Sequence, residues 1–114
     1  MNNVFASKFT LPLFLSMIST SAYAEDPLGN AINYTREVVE LGRQGQIENL
    51  ARRAQKALWY VIETEKSDPS ANLKSAQYCL EEVIEHSENN HPEQAAKHAS
   101  EALYYLKLLP RWNY

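Results

Sequence analysis

The residues best able to do chemistry are three imidazoles, His86, His91 and His98, in a short stretch rich in carboxylates: Glu81, Glu82, Glu85, Glu88, Glu93 and Glu101. Imidazole and carboxylate donors together suit zinc, copper or nickel. Spacing restricts how they can cooperate. His91 and His98 are separated by about 10 Å along a helix, at roughly 1.5 Å per residue, too far to share one ion directly. Glu82 with His86 stands at the four-residue spacing that brings helical side chains together, and His98 has the same relation to Gln94 or, at three residues, to Glu101. A site therefore has to be assembled across two helices, from Glu82, His86 and His98, with His91 capping its end. Spacing alone leaves open the plainer alternative of three solvated imidazoles.

Other chemistries find little support. Cys79 is the only cysteine, so no internal disulfide can form. It reads first as a small buried apolar side chain, and second as a minor ligand for a soft ion such as Cu(I), one heptad before His86. Met1 and Met17 both precede the mature part, so no methionine-ligated haem or copper is expected, and the chain has no Cys-x-x-Cys-His attachment for haem. There is no glycine-rich phosphate loop and no serine or cysteine with a recognisable histidine partner. Carboxylate-bridged di-iron bundles draw Glu-x-x-His from two helices, a pair this chain lacks. Nothing in the sequence points to an enzyme.

An internal repeat shows what positions the imidazoles. Shifting the chain by 45 residues lays 31–61 on 76–106 and matches Glu37 with Glu82, Val38 with Val83, Glu40 with Glu85, Ala54 with Ala99, Ala57 with Ala102, Leu58 with Leu103 and Tyr60 with Tyr105, among others. Each copy has helical periodicity broken once, at 42–45 and at 87–91, where glycine or asparagine favours a turn. Each copy is therefore a helical hairpin. The second helix of each carries an apolar stripe at alternating three- and four-residue spacing: Leu50, Ala54, Ala57 and Val61, then Ala95, Ala99, Ala102 and Leu106. Pro92, followed by Glu93, fits a first helical turn, where proline's missing donor costs nothing. Lys66 to Ser70, with Pro69, separates the hairpins. Two hairpins, about 28–66 and 70–109, predict an all-α, up-down-up-down four-helix bundle.

The copies differ in charge. Within the repeat the first hairpin balances to about +2 and the second, with Lys97 alone against six glutamates, to about −5. Two explanations stand: solvated faces attracting each other across the bundle, each exposed pair contributing at most about 1 kcal/mol, or cation binding by the acidic copy.

Residues 1–24 read as an export signal: Lys8 as the positive flank, Leu11 to Ile18 as an apolar run, and Ala22-Tyr23-Ala24 as a small-x-small cleavage site. That run is shorter than the roughly 20 residues a spanning helix needs, so no membrane insertion is expected. No cysteine lies near the cleavage site for lipid anchoring, which makes the periplasm the expected address. The remaining 25–114 suffices for one domain. The whole chain has 11 basic and 14 acidic residues, and losing Lys8 leaves about −4. Nucleic acid is a poor partner for that balance.

The stretch from Glu85-His86-Ser87-Glu88-Asn89-Asn90-His91-Pro92-Glu93-Gln94 through Ala95-Ala96-Lys97-His98-Ala99-Ser100-Glu101-Ala102-Leu103 resembles the repeat of the small metal-binding protein family, periplasmic four-helix proteins rich in histidine. The first-copy segment from Gly42 to Leu58 has the same frame. The resemblance implies a four-helix fold and metal ions as partners, with His86, His91 and His98 at positions where the family places histidines near the turn and along the helices. The first copy departs from that pattern, with Leu41, Gln46 and Arg53 at the equivalent positions. The expectation is a histidine-depleted member with modest affinity for copper, nickel or zinc in its second hairpin. An alternative rests on the recurring pairs Trp59-Tyr60 and Tyr104-Tyr105 and on Trp112 and Tyr114 in the tail. Neighbouring helical residues point about 100° apart, so both rings of a pair cannot be buried. An exposed aromatic flank would suit a scaffold that binds a protein partner or self-associates.

Overall fold

The structure, a computed structural model, describes residues 26–110. The expected export signal and the tail residues Trp112 and Tyr114 lie outside the described residues. Four helices follow one another: α1 (Pro27–Arg43), α2 (Ile47–Ser67), α3 (Ala71–Glu88) and α4 (Pro92–Lys107). No strand occurs among the described residues.

Local chemistry sets the helix ends. Pro27 and Pro92 open α1 and α4 at positions where an amide donor would have no partner within the helix. Ser70 caps α3, its hydroxyl accepting from the Leu73 N–H at 3.1 Å. The two hairpin turns share one construction. Gly45 and Asn90, equivalent in the repeat, both take a positive φ, 72° and 61°. Beyond them the Gln46 N–H donates to Leu41 O at 2.9 Å and the His91 N–H to His86 O at 2.8 Å, so each helix ends in the same left-handed reversal.

Each helix packs on the next, and α4 packs back on α1, closing a four-helix bundle. The core has two storeys. Around the inter-hairpin loop it contains Leu28, Ile32, Val61, Leu73, Leu80 and Leu106, with Tyr34, Tyr60 and Tyr105 against its edge. Around the hairpin turns it is thinner, built from Val38, Val39, Leu50, Ala54, Val83, Ala95 and Ala99. Small side chains let the helices come close there: a Cβ added to Gly42 would lie 2.7 Å from the Cβ of Ala96. The glutamate- and histidine-bearing faces of α3 and α4 border this thinner storey.

Close ion pairs between a basic first hairpin and an acidic second are not what the described surface shows. Among the described ion pairs, Arg53–Glu37, Arg43–Glu40 and Lys66–Glu63 stay within the first hairpin. The pair that crosses, Lys74–Glu65 at 3.1 Å, takes its cation from the acidic hairpin. The acidic charge of the second hairpin is left without arginine or lysine partners from the first among the described pairs.

Candidate metal centre

The last turns of α3 present Glu82 and His86 on one face because they are four residues apart. The antiparallel return of α4 sets His98 opposite them. Donor atoms of Glu82, His86 and His98 all lie within 4.8 Å of one another. All three side chains are part-buried, at 28%, 25% and 28% exposure respectively. The rings of His86 and His98 are nearly parallel, 11° apart in plane with centroids 5.1 Å apart. Glu82 Oε1 stands 3.8 Å from His86 Nε2.

Four-coordinate ions hold nitrogen and oxygen ligands at roughly 2.0–2.2 Å, so ligand atoms on one ion lie somewhat closer together than they do here. Small rotations of three part-exposed side chains would bring them in. The donor set, two imidazoles and one carboxylate, suits zinc, copper(II) and nickel. His86 Nδ1 is buried without a hydrogen-bond partner, a deficit of about 1–3 kcal/mol for a polar group removed from water. An imidazole so short of partners gains more than a solvated one from an added ligand.

His91 stands apart from this trio. It is the residue before α4, it is exposed, and its ring centroid lies 5.8 Å from that of His86 with the planes tilted by 44°. The turn that ties its N–H to His86 O keeps the two close without bringing His91 into the group that shares the 4.8 Å spacing.

Two contacts extend the site in ways that spacing left undetermined. His98 Nδ1 pairs with Glu101 Oε1 at 3.1 Å, which selects Glu101 over Gln94 as its helical partner. The same Glu101 oxygen accepts from the Cys79 thiol at 3.9 Å, across the α3–α4 interface. Cys79 is buried, and burial, followed by the nearby Glu101 charge, its hydrogen bond to Glu101 and the charge of Glu82, pushes the thiol pKa above its ordinary value. A thiol held neutral is a poor ligand and a poor nucleophile.

The first hairpin shows what the same frame does without imidazoles. Arg53, in the place of His98, pairs with Glu37, in the place of Glu82, at 3.4 Å, and its guanidinium lies 5.9 Å from the centre of the Tyr34 ring. Lys56, in the place of Glu101, lies 5.9 Å from the same ring. A tethered cation already neutralises the carboxylate there.

The aromatic pairs divide as neighbours on a helix must. Trp59 and Tyr104 are exposed, at 56% and 61%, while Tyr60 and Tyr105 lean on the core.

No curated protein matches the chain. The family model described as small metal-binding protein matches residues 3–108 of the 114, and with a two-histidine, one-carboxylate cluster inside that span, the chain belongs to the small metal-binding protein family.

Proposed function

We propose that this protein binds divalent transition metal ions, copper, nickel or zinc, at the α3–α4 face of its second hairpin, as a weak binder or buffer and not as a catalyst. Glu82, His86 and His98 are the inner donors and His91 the outer one, reaching in from the turn. The observation that carries this reading is the convergence of three donor atoms within 4.8 Å on a hairpin whose acidic side chains have, among the described ion pairs, no lysine or arginine partner from the first. Family membership supports metal ions as the ligands. The leader-like residues 1–24 support export to the periplasm, where a buffering protein would meet incoming ions before the cytoplasm does.

Calorimetric titration with Cu(II), Ni(II) and Zn(II) tests the binding, comparing the purified protein with a variant in which His86, His91 and His98 are all alanine. Saturable binding that is lost in the variant is the expected result. No saturable uptake by equilibrium dialysis would transfer the role to the second reading, protein interaction or self-association through the exposed rings of Trp59 and Tyr104. Cell fractionation with N-terminal sequencing tests the address: the periplasmic form should begin at Glu25.

A further inference from the structure

We propose that Glu101 is the positioning carboxylate of this metal site, fixing His98 in the tautomer that presents Nε2 to the ion; the inference rests on the metal-binding reading above. The argument begins with what each atom can do. An ionised carboxylate only accepts hydrogen bonds, so a pair between Glu101 Oε1 and His98 Nδ1 at 3.1 Å requires the proton to be on Nδ1. In a neutral imidazole that leaves the lone pair on Nε2. His98 is thus prepared as an Nε2 ligand before any ion arrives, and its ring plane is held by a contact one turn along its own helix.

Glu101 is itself held. Its Oε1 also accepts from the thiol of Cys79, a buried residue of α3, so the carboxylate is tied to both helices that supply the inner donors. Glu101 is exposed, at 47%, and the thiol contact gives it a cross-helix anchor that pairing along one helix alone lacks. The result is a chain of contacts from Cys79 through Glu101 to His98, whose ring lies parallel to that of His86. Metal-bound histidines characteristically donate their second nitrogen to a carboxylate in this way, which orients the ring and raises its basicity.

The first hairpin has the same frame without these three residues. Where the first hairpin replaces His98 by Arg53, it also replaces Glu101 by Lys56 and Cys79 by Tyr34. Ligand, positioning carboxylate and anchor are absent together.

The test uses 15N-labelled protein and long-range nitrogen–proton NMR, which reads the protonation of each ring nitrogen, together with zinc titration. In the ion-free protein His98 should carry its proton on Nδ1, and in the zinc-loaded protein the metallated nitrogen should be Nε2. Glu101→Ala should release the tautomer preference and weaken zinc binding about 10- to 100-fold. Glu101→Gln, whose amide oxygen still accepts from Nδ1, should keep the tautomer and lose less affinity. A proton on Nε2 in the wild type, zinc on Nδ1, or a Glu101→Ala protein with unchanged tautomer and affinity would each overturn the positioning role. Wild-type protein that shows the Nδ1 proton but takes up no zinc, copper(II) or nickel(II) would overturn the metal-binding reading itself, so the two failures are distinguishable.

Discussion

Arg53 and Glu37 face each other at 3.4 Å between α2 and α1, on the two positions that the repeat gives to His98 and Glu82 between α4 and α3. The backbone frame is shared, so what separates the hairpins as metal hosts is side-chain chemistry. In the first, a guanidinium with a fixed positive charge occupies the space where a carboxylate and two imidazoles would hold an ion.

The first prediction follows from that exchange. Leu41→His with Arg53→His should create a second site from Glu37 and the two new imidazoles, raising the saturating stoichiometry by one ion per chain. In a background lacking His86 and His98 the same pair should restore a single site. Adding Lys56→Glu should tighten the new site by removing a nearby cation and supplying the counterpart of Glu101. Titration with zinc reads all three; an unchanged stoichiometry in a protein that retains its helicity would show that the frame is not sufficient.

A second prediction concerns Asn90, which holds the α3–α4 turn at φ 61°. This region excludes most side chains at a cost of roughly 1–2 kcal/mol, and glycine avoids it. Asn90→Val should lower unfolding stability by about that amount, whereas Asn90→Gly should stay within about 0.5 kcal/mol of the wild type. The same turn places His91 by its N–H bond to His86 O, so Asn90→Val should also weaken any part His91 plays in metal binding. Urea denaturation and zinc titration on one set of samples separate the two effects.

Much of this architecture was legible beforehand because it is carried by local pattern. The repeat, the alanine stripes, Pro92 and the Gly45 and Asn90 turns each act over a few residues, and together they allow few arrangements other than two antiparallel hairpins. The pairing of Glu82 with His86 was readable for the same reason, being one helical turn. The partners of His98 were not. Gln94 and Glu101 are both within helical reach of it, and the choice of Glu101 goes with a contact to Cys79 that spans 22 residues and exists only once α3 and α4 have docked. Which charges meet was not legible either: net charge says nothing about which side chains come within reach, and Arg43, Arg53 and Lys66 of the first hairpin pair within it.

A third prediction tests the close approach of α1 and α4. A Cβ at Gly42 would meet Ala96 Cβ at 2.7 Å and its Cα at 3.0 Å, and the latter is backbone that cannot rotate away. Overpacking of this kind typically costs about 1–3 kcal/mol, against a gain of about 1 kcal/mol in helix propensity on replacing glycine by alanine. Gly42→Ala should therefore lose about 0–2 kcal/mol net. Because the tightest contact is with the Ala96 Cβ, Ala96→Gly should relieve part of the strain: the double variant should be more stable than the sum of the single effects, a coupling that a denaturation double-mutant cycle measures directly.

The fourth prediction works out the sign of the Cys79 titration. Burial and two neighbouring carboxylates raise the thiol's pKa in the folded protein, while the unfolded chain keeps the ordinary value of about 8.5. As pH climbs past that value the unfolded chain gives up a proton that the folded protein retains, and deprotonation then favours the unfolded state. The contribution of Cys79 to stability is thus complete below the ordinary thiol pKa and declines as pH rises from there through the folded value. Denaturation midpoints measured from pH 7 to 10 should fall faster for wild type than for Cys79→Ala, which differs from it only in lacking the thiol. Glu101→Gln removes both a repelling charge and a carboxylate acceptor, so its curve should lie between the two. Its thiol should also react several-fold faster with iodoacetamide at pH 8, because a lower pKa enlarges the thiolate fraction. Parallel curves for wild type and Cys79→Ala would mean that the thiol ionises as freely in the bundle as in the unfolded chain, and that the Glu101 contact exerts no electrostatic hold on it.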